Sequence, residues 1–495
     1  MKTITRLSAA FLTLSSSAAA IGSDAALEAA LELITADHVS ADIHFIASDA
    51  LAGRDTPSDG LVVAARFIRS RLQRLGIEPG AEDGYFHRYP LLRLGLDEEH
   101  TRLVASAPEA AVELSPGSDY WFRSNYLRGD ADFSGGVVFA GSGSTEDLDA
   151  CEIEDAWALV LDDGHSGSRV RRRVRKAGGA GVVLVPRADF DGEPYAEKYG
   201  AGLASFIEGR ISYPTERGAA SRRMSIFPQL ALTQSTGLRL LALASGRPAD
   251  VPLESWTPTL GADLGLTLSD ERRVVHDGES VQMENVCGFL PGNDPELKGE
   301  VLIVSAHYDH VGARGGKIWN GADDNGSGTT GLLQVAEALR RYGPMRRSVL
   351  LIWVSGEEKG LWGSRAWSDA PWLPEGCRPV ANLNIDMIGR NAPDELYITP
   401  SAEHAQHNGI VKLAQRLAPL EGFPVLESAD DYYHRSDQAM FARLGIPVAF
   451  LFAGIHEDYH QPTDTPDKID YDKLRRVARL VVRLLDALQT DTLDF

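Results

Sequence analysis

The sequence is poor in cysteine and in basic residues for its length. Only three cysteines, Cys151, Cys287 and Cys377, occur among 495 residues. Three thiols cannot build a disulfide framework, and at most one pair can form. Acidic residues outnumber basic ones by 70 to 49, which gives a formal net charge of −21. A surface this acidic disfavours nucleic acid and anionic membranes as partners.

Long hydrophobic runs are also absent, since no segment has about 18 uncharged apolar residues in succession, the length that spans a bilayer. We therefore expect no stable membrane insertion. Near the N-terminus, Lys2 and Arg6 precede a short apolar segment, which a run of Ser and Ala follows up to Ala20. This order is typical of a secretory signal, although a surface helix is the alternative. We predict a signal peptide over residues 1–20 and an exported protein, periplasmic or secreted.

Length and patterning predict two domains, because 495 residues are too many for one core. Residues 99–262 alternate short apolar runs with turn residues, a texture typical of a small β-rich domain. From residue 263 onward, short strands alternate with helical stretches, as a largely parallel sheet with helical crossovers requires. We therefore expect an α/β domain from residues 21–98 and 263–495, with residues 99–262 inserted into it.

Four apolar runs of the α/β part end in an imidazole or a carboxylate. His307 follows one of them, and Asp324 lies in the loop before the next helix. Glu358, Asp386 and His460 follow the other three runs. Ligands of open α/β sheets bind where the carboxyl ends of the strands open onto a crevice. Imidazole with carboxylate suits zinc, and manganese or cobalt less specifically, so these five residues predict a site for two metals.

Two further carboxylates accompany the predicted ligands. Glu357 and Glu358 are neighbours, and adjacent residues of an extended chain point to opposite sides. If one of them binds metal, the other is free to act as the general base of peptide hydrolysis. Asp309, two residues after His307, could accept the second ring N–H of that histidine and fix its tautomer.

The residues around these positions resemble zinc aminopeptidases of peptidase family M28, in the branch with an inserted protease-associated domain. The motifs are SAHYDHVG (305–312), GADDNGSG (321–328), SGEEKGLWGS (355–364), NIDMIG (384–389) and YHQPTDT (459–465). Weaker matches are LAGRDTPSDG (51–60), KAGGAGVVLV (176–185) and ENVCGFLPG (284–292). The resemblance implies a zinc exopeptidase-like fold: a mixed, largely parallel sheet flanked by helices.

The resemblance also implies two zinc ions per chain. It places His307 and Asp386 on one zinc, Glu358 and His460 on the other, and Asp324 as the bridge between them. It implies in addition a cis peptide bond after Asp324.

The resemblance assigns two catalytic roles. Glu357 is the general acid and base, and Tyr459 resembles the tyrosine that in some members hydrogen-bonds the tetrahedral intermediate. One departure is Gln438, since the family often has histidine at this position of its Ser-Asp-His sequence. The contribution of this loop to substrate binding is therefore open.

The implied activity is the release of N-terminal residues from peptide substrates, and three alternatives remain. A carboxypeptidase or dipeptidase would need a cation for the terminal carboxylate of its substrate, for which Arg390 and Arg435 are candidates. An amide deacylase would use the same ligand types. A receptor-like binding protein without metals also exists in the wider family, but the ligand set here is complete.

Overall fold

The structure, a computed structural model, describes residues 24–123, 130–164, 167–214, 227–245 and 258–493. The predicted signal peptide at residues 1–20 lies outside these ranges. Within them, no helix combines the length and the apolar content that crossing a membrane requires. The three cysteines are free thiols.

Two compact units form the chain. The first contains residues 1–89 and 282–495, and the second contains residues 90–281. The chain passes between them along the strands Phe86–Leu96 and Val274–Leu290. The sequence pattern suggests boundaries near residues 98 and 262 instead, because a strand that continues through a boundary leaves no break in its pattern.

The first unit combines helices with a sheet. Its α-helices in the described ranges include residues 24–31, Ala36–Ile46, Asp59–Leu75, Gly328–Tyr342, Trp362–Asp369, Gly409–Leu417, Gln438–Ala442 and Tyr471–Ala487. Its strands, apart from the two that cross the boundary, are Glu78–Pro79, Glu300–His307, Ala313–Arg314, Lys317–Ile318, Ser348–Val354, Arg378–Asp386, Leu396–Thr399, Leu426–Ser428 and Val448–Phe452. Short 3-10 turns cover Asp49–Leu51, Ala418–Glu421, Asp430–Tyr432 and Pro466–Lys468, and a π-helical turn covers Ala322–Ser327.

The sheet of the first unit is mixed, with parallel pairing among its central strands, and the unit confirms the predicted α/β fold class. Glu300–His307 lies at its centre and pairs in parallel with Ser348–Val354 and Arg378–Asp386. Arg378–Asp386 pairs in parallel with Val448–Phe452. Antiparallel neighbours extend the sheet: Val274–Leu290 lies beside Ser348–Val354. The parallel strands therefore end at one edge, where the polar residues that follow them meet.

Burial explains why the sequences of these strands are continuous runs of apolar residues. Every residue of Ser348–Val354 is buried, as expected for a parallel strand that is covered on both faces. On one side the helix Gly328–Tyr342 packs against both this strand and the helix Tyr471–Ala487. Gly331 permits this packing, because a Cβ atom there would lie 3.1 Å from Ile388 Cδ1. The helix that follows the turn Ala322–Ser327 is thereby held tightly against the sheet.

The second unit has its own sheet and core. The strand order is Ala110–Leu114, Arg102–Ala107, Asp263–Arg272, Ala131–Phe139, Trp157–Asp162, Gly181–Pro186, Gln229–Leu232 and Tyr120–Phe122. Its helices in the described ranges are Thr145–Asp149, Gly167–Lys176, Tyr195–Glu208 and Gln234–Ser245, and Arg210–Ser212 is a further short strand. The unit is β-rich, as the sequence predicts, but helices accompany its parallel strands.

Candidate metal centre and active site

The first cluster of candidate ligands lies at the ends of two central strands. His307 ends the strand Glu300–His307, and Asp386 ends the neighbouring strand Arg378–Asp386. Nε2 of His307 lies 3.2 Å from Oδ1 of Asp386 and 3.4 Å from Oδ1 of Asp324. One imidazole and two carboxylates thus converge on a single point, and all three residues are buried.

The second cluster shares Asp324 with the first. Nε2 of His460 lies 3.0 Å from Oδ2 of Asp324 and 3.1 Å from Oε2 of Glu358. The two oxygens of Asp324 therefore face different clusters, as a bridging carboxylate requires. Burial opposes charge on His460, but Asp324 and Glu358 outweigh it and raise the pKa of that histidine to about 10.

The loop that carries Asp324 is fixed by its own backbone contacts. The carboxylate of Asp464 accepts hydrogen bonds from the backbone N–H groups of Asp323 and Asp324, each at 3.1 Å or less. Oδ1 of Asn325 accepts from the N–H of Gly328 at 2.8 Å. Gly321 has φ +58°, and a Cβ there would lie 2.2 Å from the carbonyl oxygen of Asp324, so this turn requires glycine. The Asp324–Asn325 bond is cis.

The spacing of the donor atoms fits zinc. In a tetrahedral site with zinc bonds of about 2.0–2.1 Å, neighbouring ligand atoms are roughly 3.3 Å apart. The four imidazole-to-carboxylate distances around Asp324, Asp386, Glu358 and the two histidines lie between 3.0 and 3.4 Å. Oδ2 of Asp324 and Nε2 of His460 are buried and have no hydrogen-bond partner of acceptable geometry among the described residues. Buried polar atoms without partners are costly, and a metal ion would satisfy both.

Glu357 lies beside the two clusters without joining either. It lines a pocket with Asp324, Asp386 and Tyr459. Its backbone N–H donates to Oδ1 of Asp309 at 3.1 Å. Burial is the main cause that raises the pKa of Glu357 well above its usual value. A partly buried carboxylate beside the two clusters that belongs to neither of them is suited to proton transfer.

Asp309 is held in place from two sides. Its Oδ2 accepts a hydrogen bond from Thr56 Oγ1 at 3.0 Å, and its Oδ1 accepts from the N–H of Glu357. Nδ1 of His307 lies 3.3 Å from the backbone oxygen of Asp309 and 3.7 Å from its Oδ1. The backbone carbonyl is therefore the closer acceptor for the ring N–H, and the carboxylate also anchors the segment that carries Glu357.

Tyr459 and the loop around Ser436 complete the pocket wall. The ring of Tyr459 stacks on His460 with 3.9 Å between ring centroids. Burial raises the pKa of Tyr459, which keeps its hydroxyl protonated at neutral pH. Ser436 Oγ donates to Oδ2 of Asp386 at 2.8 Å. Nε2 of Gln438 donates to the carbonyl oxygens of Tyr432 and Tyr433, and its Oε1 accepts from Asn384 Nδ2 at 3.0 Å.

Three side chains near the clusters are missing from the set inferred from the sequence. His310 is buried, and its Nδ1 lies 2.9 Å from Oε1 of Glu358. Arg54 is buried, and its guanidinium donates to four backbone carbonyls of the surrounding loops. His456 Nε2 lies 3.3 Å from Oδ2 of Asp323. His310 and Arg54 fall inside motifs that resemble the family, which was the available indication, whereas nothing local marks His456.

The comparisons with known proteins agree with this geometry. Residues 285–485 match the model of peptidase family M28. A protein named probable leucine aminopeptidase, from Arthroderma otae, is 30% identical over 210 residues, which cover 40% of this chain and 56% of that protein. The chain thus spans about half the length of this curated relative.

Two solved structures share the fold. An aminopeptidase from Aneurinibacillus sp. strain AM-1 aligns over 92% of this chain and 94% of its own, with a TM-score of 0.51 and 20% identity. A zinc aminopeptidase from Bacillus subtilis aligns over 92% and 96%, with a TM-score of 0.50 and 19% identity.

The matched segment contains the strands and loops that bring His307, Asp324, Glu358, Asp386 and His460 together. Residues 285–485 of the chain are therefore similar to peptidase family M28, whose model they match.

Proposed function

We propose that the protein is a di-zinc metallopeptidase that releases N-terminal amino acids from peptides. The observation that carries this proposal is the pair of clusters that share Asp324, with the non-ligand Glu357 beside them. The similarity to the probable leucine aminopeptidase from Arthroderma otae supports the same activity. The fold shared with the zinc aminopeptidase from Bacillus subtilis is consistent with it.

In this proposal the residues of the two clusters bind the metal ions. His307, Asp324 and Asp386 would hold one zinc, and Asp324, Glu358 and His460 would hold the other. Bound zinc ions would supply Lewis acidity that makes a water nucleophilic and polarises the scissile carbonyl.

Side chains of the protein carry out proton transfer and stabilise the oxyanion. Glu357 takes the proton of the attacking water and then delivers it to the leaving amine. Desolvation, the main cause of its raised pKa, strengthens the carboxylate as a base and so favours the first of these transfers. Tyr459 lines the pocket, which supports a role in which its hydroxyl donates a hydrogen bond to the oxyanion.

A panel of peptides tests the activity. We expect hydrolysis of peptides with a free amino terminus, no hydrolysis after N-acetylation, and loss of activity after chelation. Hydrolysis of N-acetylated peptides at their free carboxyl end would instead favour a carboxypeptidase. About two zinc ions per chain in the purified protein would agree with the two clusters, and fewer than one in an active protein would refute the metal assignment.

Two further assignments belong to this proposal. We infer that residues 90–281 are a protease-associated insert, which the KAGGAGVVLV sequence (176–185) supports. The charged, apolar and small-residue order of residues 1–20 supports export to the periplasm or medium. N-terminal sequencing of the protein from its native host checks export, which an intact Met1 in the cytosolic fraction would contradict.

A further inference from the structure

Among the described residues that line the pocket beside the two clusters of candidate ligands, Arg435 is the one with a cationic side chain. The ionisable walls of the pocket are the carboxylates of Asp324, Glu357 and Asp386, together with Tyr residues and one guanidinium, that of Arg435. We propose that Arg435 is a specificity-determining residue that binds a carboxylate of the peptide substrate. This inference rests on the proposed peptidase function and defines its substrate class.

Arg435 is held at a fixed place in the pocket wall. Its guanidinium lies over the ring of Tyr432, 4.8 Å from the ring centroid, and its backbone N–H donates to the Tyr432 carbonyl at 2.9 Å. The next residue, Ser436, donates to the ligand Asp386. The stacked ring itself contacts Phe452 at a centroid distance of 5.0 Å. The cation is thus tied by short contacts to the same loop that orients a metal ligand.

The guanidinium is available to a ligand. Arg435 is exposed, and among the described residues no carboxylate lies within ion-pair distance of its side chain. The other candidate cation, Arg390, is 13% exposed, and its Nη2 lies 2.9 Å from Oδ2 of Asp458, a carboxylate that it shares with Lys468. Of the two arginines that the sequence indicates for a terminal carboxylate, Arg435 is the one that lines this pocket.

The chemistry of the pocket explains why a carboxylate is the fitting partner. A guanidinium offers a planar fork of N–H donors that matches a carboxylate in two parallel hydrogen bonds. The remaining walls include Phe450, Phe452 and Ile455, which supply apolar surface and no side-chain acceptor. Stacking on the face of Tyr432 does not engage the N–H donors of the guanidinium, so they are available to the substrate.

The carboxylate can come from two parts of a peptide. In a dipeptide it is the terminal carboxylate, which lies one residue beyond the scissile bond. In a longer peptide it is an acidic side chain near that bond. Both sources present a carboxylate. One substrate pair that differs only in the terminal carboxylate and another that differs only in the acidic side chain therefore distinguish the two sources.

Four substrates and two variants test the proposal. The first substrate pair is Leu-Gly and its C-terminal amide, and the second is Leu-Glu amide and Leu-Gln amide. The measured quantity is the ratio of kcat/KM within each pair. The variants are Arg435→Met and, as a matched control, Arg416→Met, which removes an exposed arginine from a helix outside the pocket.

We expect the wild-type enzyme and Arg416→Met to prefer the carboxylate member of at least one pair by about 10- to 100-fold, the range of a charged hydrogen bond. In Arg435→Met that ratio should fall to about one, mainly through a higher KM. A preference in the first pair assigns the terminal carboxylate, and one in the second assigns the side chain.

Other results overturn the proposal in distinguishable ways. Ratios near one in the wild-type enzyme, or a preference that survives in Arg435→Met, refute the role of Arg435 and leave the peptidase function intact. Inactivity of the wild-type, zinc-loaded enzyme towards all four substrates refutes the aminopeptidase function and this inference with it.

Discussion

Nδ1 of His310 lies 2.9 Å from Oε1 of Glu358, and His310, Asp324 and Glu358 form a group that could itself hold a metal ion. The ring of His310 meets that of His460 edge to face, with 5.7 Å between centroids. Two imidazoles therefore face one carboxylate. His310 can orient Glu358 by a hydrogen bond, and its buried Nε2 has no partner among the described side chains.

Substitution of His310 by alanine should weaken metal binding at this cluster. Loss of a hydrogen bond that orients a ligand typically reduces metal affinity by about 10- to 100-fold. Zinc content after dialysis against a chelator measures the effect, with His38→Ala, which removes an exposed histidine, as the control. Equal zinc retention in the His310 variant and the control would show that this contact does not support the ligand.

Arg54→Met should destabilise the fold around the metal-binding loops. Nη1 of Arg54 donates to the carbonyls of Ile46 and Asn320 at 2.6 and 2.7 Å, while Nε and Nη2 bind those of Tyr308 and Gly321. Burial lowers the pKa of Arg54 to about 10, so it is still a cation at neutral pH.

Leaving these buried carbonyls without donors should cost about 3 kcal/mol or more of the free energy of unfolding. Arg54→Lys should fail to restore it, because an ammonium lacks the planar fork that reaches several carbonyls. Urea or thermal unfolding measures the change, and Arg74→Met, at an exposed position, is the control. Full stability of Arg54→Lys would mean that charge alone suffices.

The sequence predicts well where the strands next to the site end, because these positions depend on the local pattern of apolar residues. The apolar run before Glu357 forms the strand Ser348–Val354, since a strand buried on both faces is apolar nearly throughout. The helix Asp59–Leu75 ends before Gly76, which has a left-handed conformation. In both cases burial or backbone conformation at the residue itself determines the structure, so the sequence carries the information.

Other features depend on contacts between distant segments, and the sequence does not reveal them. The pattern over Ala41–Leu51 predicts one helix, but the helix covers Ala36–Ile46 because the Thr35 side chain caps it at an earlier position. The sequence indicates only that Arg54 lies in a loop. In the structure its guanidinium donates to backbone carbonyls that lie more than 250 residues away in the sequence. His456 faces Asp323 only because two loops meet.

Acid should weaken the structure through Asp458. Burial works to raise the pKa of Asp458, but hydrogen bonds from Lys468, Thr463 and Arg390 outweigh it and hold the pKa well below its usual value of 3.8. A carboxyl with a depressed pKa stabilises the fold above its unfolded-state pKa and loses that contribution as the pH falls through the folded-state value. The Asp458 contribution should therefore be complete at neutral pH and decline below about pH 4.

The variant Asp458→Asn isolates this contribution. At pH 7 it should lower the free energy of unfolding by about 2 kcal/mol, the scale of hydrogen bonds to a charged group. The gap between wild type and variant should narrow as the pH falls below about 4. Asp394→Asn, at an exposed position, controls for the loss of one negative charge. A gap that stays constant with pH would show that the charge of Asp458 is not what stabilises this loop.

The adjacent residues Glu357 and Glu358 should respond differently to the same substitution. Glu357→Gln keeps the size of the side chain but removes the proton acceptor. Zinc content and fold should survive while kcat falls by roughly 10²- to 10⁴-fold, the usual contribution of general acid–base catalysis. KM should change less, because the lost interaction acts in the transition state.

Glu358→Gln removes an anionic ligand that lies 3.1 Å from His460 Nε2. One metal should bind more weakly, and the thermal midpoint should fall, because a metal that binds only the native state stabilises it. Added zinc should partly restore the activity of Glu358→Gln and have no effect on Glu357→Gln. Zinc content, thermal unfolding and kinetics of both variants check these expectations. Loss of metal from Glu357→Gln together with full metal content in Glu358→Gln would show that the ligand and the base are the other way round.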